Sequence, residues 1–66
     1  MNKIKLESYL DEYVEVTLID NFTYRGILSR TNDFLERYHK TGYYFLRGID
    51  DNIIFRCLHV KKIKTL

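Results

Sequence analysis

Proline is absent from these 66 residues, and Cys57 is the only cysteine. One thiol cannot form an internal disulfide, and a lone cysteine fits a reducing compartment. No run approaches the roughly 20 apolar residues that a membrane helix needs. The opening stretch MNKIKLESYL is basic at its start, but charges interrupt any apolar region, so it does not read as a signal peptide. These absences set the expectation of a cytoplasmic protein with no membrane partner. No linker, repeat or low-complexity segment divides the chain, so one domain, residues 1–66, is expected.

Enzyme signatures are also lacking. There is no nucleophile with a plausible base, no paired-carboxylate site and no glycine-rich phosphate loop, so no enzyme is expected. A metal site needs three or four converging ligands. Cys57 and His59, two apart, have only His39 to join them, so neither a metal nor a cofactor is expected. Cys57 reads instead as a small core residue. Neither sign of charge predominates: 11 Lys and Arg against 9 Asp and Glu leave a net charge of +2. That permits nucleic-acid binding without requiring it.

A core this small rarely supplies more than about 3–5 kcal/mol, and neither disulfides nor metals are at hand. Partner subunits remain, so a homo-oligomer is expected on physical grounds.

Tyr, Phe and β-branched residues are plentiful, and these favour strands. The spacing predicts a short helix over about Lys3 to Glu12, with Leu6, Tyr9, Leu10 and Tyr13 on one face and Asn2 as its cap. YVEVTLID then alternates, with Val14, Val16 and Leu18 inward and Glu15 and Thr17 outward. Asp20-Asn21 reads as a two-residue type I′ turn, whose central residues both need positive φ. FTYRGILS is a second strand, with Phe22, Tyr24, Gly26 and Leu28 on one face. Gly inside a strand is costly unless space is needed, and a sharply bent sheet needs it. RTNDFLERYHKTG reads as a loop with a helical turn near Phe34 to Tyr38. YYFLRG, IIFRCLHV and KKIKTL follow as the third, fourth and fifth strands. One helix and five short strands with local connections predict a small closed barrel.

VEVTLIDNFTYRGILS resembles the first motif of the Sm and Sm-like (LSm, Hfq-related) family. Val14, Val16, Leu18, Asp20, Tyr24, Gly26 and Leu28 fall on that motif. FRCLHVKKI resembles the second, with Phe55, Arg56, Cys57, Val60 and Ile63 in place. The likeness is greatest to small Sm-like proteins of low-GC bacteria and their phages. It implies a mainly β fold: an N-terminal helix and a strongly bent five-stranded antiparallel sheet, an SH3-like barrel. It implies head-to-tail rings of about five to seven subunits, in which the fourth strand of one subunit pairs with the fifth of the next. It also implies single-stranded RNA as a partner, bound by a stacking aromatic, a base-reading Asn and a supporting Arg.

Carried onto this chain, the candidate RNA-binding residues are Asn32, Phe34, Arg37, Tyr38, Lys40 and Arg56. Phe34 would stack a base and Arg56 would support the pocket. Glu36 stands where the family has its base-reading Asn, and a carboxylate there repels phosphates. A protein partner is therefore the alternative to RNA. The run Arg37 to Lys40 is either an RNA contact or a solvated loop anchored by one Tyr. Arg56 either holds the pocket or pairs with Asp50 or Asp51 across a turn. Lys61 to Lys64 either attract nucleic acid or keep a strand edge soluble. Tyr43 and Phe45 are expected on the second face of their strand, as a subunit interface.

Overall fold

The computed structural model describes residues 1–66. It holds helix α1 (Lys3–Glu7), strands β1 (Tyr13–Leu18) and β2 (Thr23–Arg30), a helical turn α2 (Thr31–Phe34), then strands β3 (Tyr43–Arg47), β4 (Ile54–Arg56) and β5 (Val60–Thr65). The five strands make one antiparallel sheet in the order β4-β3-β2-β1-β5. Mainly β with one short helix, as the alternation predicts, the chain has no helix long and apolar enough to cross a membrane. The expected closure is absent. β4 has only three residues before the chain coils into a 3-10 turn at Cys57–His59, and it does not pair with β5. The sheet is therefore open, with β4 and β5 as its edges.

Val14, Val16, Leu18, Leu28, Tyr44, Leu46, Phe55 and Val60 form the core with Leu6 of α1. Cross-strand pairs place most of these on a single face: Val16 opposite Tyr24, Leu28 opposite Leu46, Tyr44 opposite Phe55. Gly26 lies on this face opposite Val14. A Cβ there would stand 2.8 Å from both the Arg47 carbonyl oxygen and the Leu46 Cβ, and its φ of +153° is one that side chains rarely adopt. The glycine is present because β3 crosses too closely for anything larger.

Asn2 caps α1 as expected, its Oδ1 accepting from the Ile4 and Lys5 amides at 2.7 and 3.2 Å. The helix ends at Glu7 rather than Glu12. Ser8 bonds back to the Lys5 carbonyl, and Asp11 takes a left-handed φ of 67°. The backbone of 11–12 is then drawn onto β2: Asp11 N–H donates to the Leu28 carbonyl, and Leu28 N–H donates to that of Glu12. Sheet pairing outcompetes a helix too short to persist alone. Tyr13 consequently starts a strand and is exposed.

The hairpin turn also departs from expectation. Only Asn21 has positive φ, at 70°. Asn21 N–H donates to the Leu18 carbonyl, and Leu18 N–H to that of Phe22. Ile19-Asp20-Asn21 is thus a three-residue loop, a tight turn followed by a left-handed bulge. Asp20 instead accepts from the Phe22 amide at 3.0 Å. The extra residue leaves Phe22 outside β2 and exposed, off the face assigned to it.

Candidate nucleic-acid interface

Of the candidate residues only Arg56 lies on the sheet, on its outer face; Asn32, Phe34, Arg37, Tyr38 and Lys40 lie in the segment between β2 and β3. Tyr43, Phe45 and Arg47 alternate along β3 on this face, and Arg56 of β4 sits opposite Tyr43. The chain between β2 and β3 folds back over them. Its helical turn lies at Thr31–Phe34, one turn before the predicted place. Thr31 is fully buried there, its hydroxyl 3.3 Å from the carbonyl oxygens of both Lys40 and Tyr43. One side chain thus pins both ends of the 31–43 segment.

Two aromatic contacts hold this segment down. Phe34 meets Phe45 edge-to-face, with ring centroids 6.3 Å apart. Tyr38 meets Tyr43 in the same manner at 5.4 Å. Such pairs add about 0.5–1.5 kcal/mol beyond the area they bury. Phe45 is therefore buried by its own chain and is not a free subunit surface, which corrects the expectation for it. Tyr43 is half-buried.

Of the candidates, Tyr38 and Arg56 converge on one ring. The Arg56 guanidinium stands 5.5 Å from the Tyr43 ring centroid, while Tyr38 abuts the same ring. Arg56 pairs with neither Asp50 nor Asp51; Asp50 instead accepts from the Arg25 amide at 2.7 Å. Phe34 lies with Phe45, and the Arg47 guanidinium rests 4.2 Å from the Phe34 ring centroid. Arg47 is held there by Ser29 Oγ at 2.7 Å and Asp11 at 3.4 Å. A face of Phe34 is already occupied by a cation. Asn32, Asp33, Phe34, Leu35, Glu36 and His39 border one shallow depression, which brings two carboxylates beside the proposed stacking ring. Arg37 and Lys40 are exposed, with no side-chain partner. The 37–40 stretch thus has the form of a solvated loop with Tyr38 as its anchor.

Cys57 and His59 fall in the 3-10 turn, not along a strand face. The Cys57 thiol donates to the Met1 carbonyl at 2.8 Å and packs beside the core. Along β5, Lys61 donates to Asn21 Oδ1 at 2.6 Å and Lys64 lies 3.5 Å from Glu15.

Two features escaped sequence reasoning. One is Arg47; its only signal is its place two residues after Phe45 on an alternating strand. The other is a polar cluster where the end of β2 meets β3 and α1. Arg30 grips Glu7 with two bonds of 3.1 and 3.2 Å, and the Tyr44 hydroxyl donates to Glu7 at 2.8 Å. The Arg30 hydrogen bonds hold the Glu7 carboxyl below its ordinary range, with Tyr44 adding to them. Burial, with the Glu7 carboxylate beside it, pushes the Tyr44 phenol up. This cluster fastens α1 to the sheet.

Comparison with protein-family models, with curated proteins and with solved structures gives no match to this chain.

Proposed function

We propose that the protein is an Sm-like, ring-forming binder of single-stranded RNA, its bent sheet being of the SH3-like barrel type. The observation that carries this reading is the strand order. β4 and β5 are the two unpaired edges, the same two strands that the family resemblance assigns to contacts between subunits. Unpaired edges template pairing with another chain, and a head-to-tail contact that closes makes a ring. On each subunit, Tyr43 with Tyr38 and Arg56 offers an aromatic-cationic surface next to the β4 edge. Aromatic faces stack bases for about 1–3 kcal/mol each, and cations follow the phosphates.

The test is mass by light scattering coupled to size exclusion over a concentration series, beside an RNase-treated sample. Titrations with A-rich and U-rich oligonucleotides at low and moderate salt accompany it. A stable mass of several subunits with salt-sensitive binding supports the reading. A monomer that binds no oligonucleotide at low salt overturns it.

A second reading has its own observation. Arg47 already covers a face of Phe34, and Asp33 and Glu36 border the same depression. That arrangement suits a protein partner better than a base. A pull-down that recovers RNA and no specific protein would sink this alternative.

A further inference from the structure

The outer face of β1 and β5 contains a small polar pit away from the Tyr43 surface. Thr17 and Glu15 of β1 stand opposite Lys62 and Lys64 of β5, and these four with Ile63 line the pit. Alternation assigns Thr17 to the outside, yet only 5% of it is exposed. Its hydroxyl bonds to no other side chain or carbonyl of the protein, although Thr17 lines an open depression. The charged groups on and beside the pit differ in how far they are committed. Glu15 is matched twice over, by Arg25 at 3.0 Å and Lys64 at 3.5 Å. Lys61, next along β5, is tied to Asn21. Lys62 alone on this strand has no acidic or amide partner. No buried side-chain polar atom of the protein lacks a partner, so the unbonded Thr17 hydroxyl opens onto the depression; it lies beside a free ammonium, with a second lysine and an arginine neutralising the one nearby carboxylate.

That donor set fits a tetrahedral oxyanion. We infer that Thr17, Lys62 and Lys64 form a subsite for one phosphate group of a nucleic-acid backbone. Thr17 offers a hydroxyl donor from the floor, and the lysines supply charge from the rim. The Glu15 carboxylate in the wall sets a limit, since it repels the anion wherever Arg25 and Lys64 leave it. No aromatic ring lines the pit to stack a base, so it positions the strand without reading its sequence. This subsite deepens the RNA-binding reading and rests on it for the identity of the ligand; the phosphate chemistry itself does not.

Backbone amide and lysine side-chain NMR shifts of the full chain test it, with inorganic phosphate and a short oligonucleotide as separate probes. The expected result is perturbation at Thr17, Lys62 and Lys64 with the oligonucleotide, weaker with inorganic phosphate, and lost in Lys62→Gln. Binding isotherms add a second readout. One lost phosphate contact lowers the single-strand salt slope by about 0.7, which is roughly a five-fold loss of affinity at 0.1 M salt. Lys62 is exposed on an edge strand, so Lys62→Gln leaves the fold intact; Thr17→Val, matched in shape, removes only the hydroxyl. Shifts with phosphate but no oligonucleotide binding at all would leave a free-phosphate site and overturn the RNA reading alone. Oligonucleotide binding with these three residues silent, or an unchanged affinity and salt slope in Lys62→Gln, overturns the subsite.

Discussion

The hydroxyl of Tyr44 donates to the carboxylate of Glu7 at 2.8 Å, joining a core strand to a five-residue helix 37 residues earlier in the chain. Tyr44 is 1% exposed, so the hydroxyl has no access to water as a substitute partner. Arg30 completes the contact from the end of β2. Tyr44→Phe is expected to destabilise the protein by about 1.5–3 kcal/mol, the range for a hydrogen bond to a charged group. Urea unfolding measures it, and an unchanged midpoint would show that the contact does not anchor α1.

The same cluster sets an acid limit. The folded-state carboxyl of Glu7 titrates below its unfolded value. A depressed carboxylate contributes stability that is present above the unfolded pKa, near 4.3, and lost as pH falls through the folded one. Melting temperature should therefore fall below about pH 4.5, and Glu7→Gln should be less stable at pH 7 and show a shallower acid loss. Parallel acid profiles for the two proteins would refute the assignment.

Gly26→Ala is expected to be among the most damaging single changes outside the apolar core. Its methyl group would meet Leu46 and the Arg47 carbonyl at 2.8 Å, where the backbone has little room to move. Overpacking of this kind costs roughly 1–3 kcal/mol. The φ of +153° adds strain to that. A variant with the parent's thermal midpoint would mean that β3 can shift aside.

Asp11→Gly should act in the opposite direction. Asp11 holds a left-handed φ of 67° just after the helical turns of the N-terminus, where Gly is preferred. Its ion pair with Arg47 spans 3.4 Å and is largely solvent-exposed, so little is lost with it. A gain of about 0.5–1 kcal/mol is expected from relief of the backbone penalty. Lower stability in the urea titration would show that the Arg47 contact matters more than the backbone.

Phe34→Ala separates structure from recognition. The ring packs on Phe45 and carries the Arg47 guanidinium. Loss of about 1–2 kcal/mol of stability is expected from the edge-to-face pair and the cation contact together. If oligonucleotide affinity falls in Phe34→Ala and also in Tyr38→Ala, both rings belong to the RNA surface; if only stability falls, Phe34 is a clasp for the 31–43 segment.

The parts of the fold legible in the sequence are those governed by near neighbours. Period-two alternation located β1, β2 and β3, and the Asn2 cap follows from an acceptor beside unpaired amides. The glycine in a strand marked a crowded position, which the sequence assigned to a sharp bend and the structure to the close approach of Leu46 and Arg47 in β3. For the candidate interface, the sequence supplied the residue types but not their arrangement. Phe34, Tyr38 and Arg56 were visible as aromatics and a cation; that Tyr43 gathers Tyr38 and Arg56, and that Arg47 covers Phe34, was not.

By itself, then, the sequence determined the strand pattern, the helix start and the position where only glycine fits, because each depends on a side chain and the few residues around it. The tertiary structure alone decided where α1 stops, which turn joins β1 to β2, that Thr17 is buried, and that Glu7, Arg30 and Tyr44 meet. Those outcomes depend on competition between distant segments for the same backbone groups and the same water-free space. Short-range periodicity holds no record of that competition.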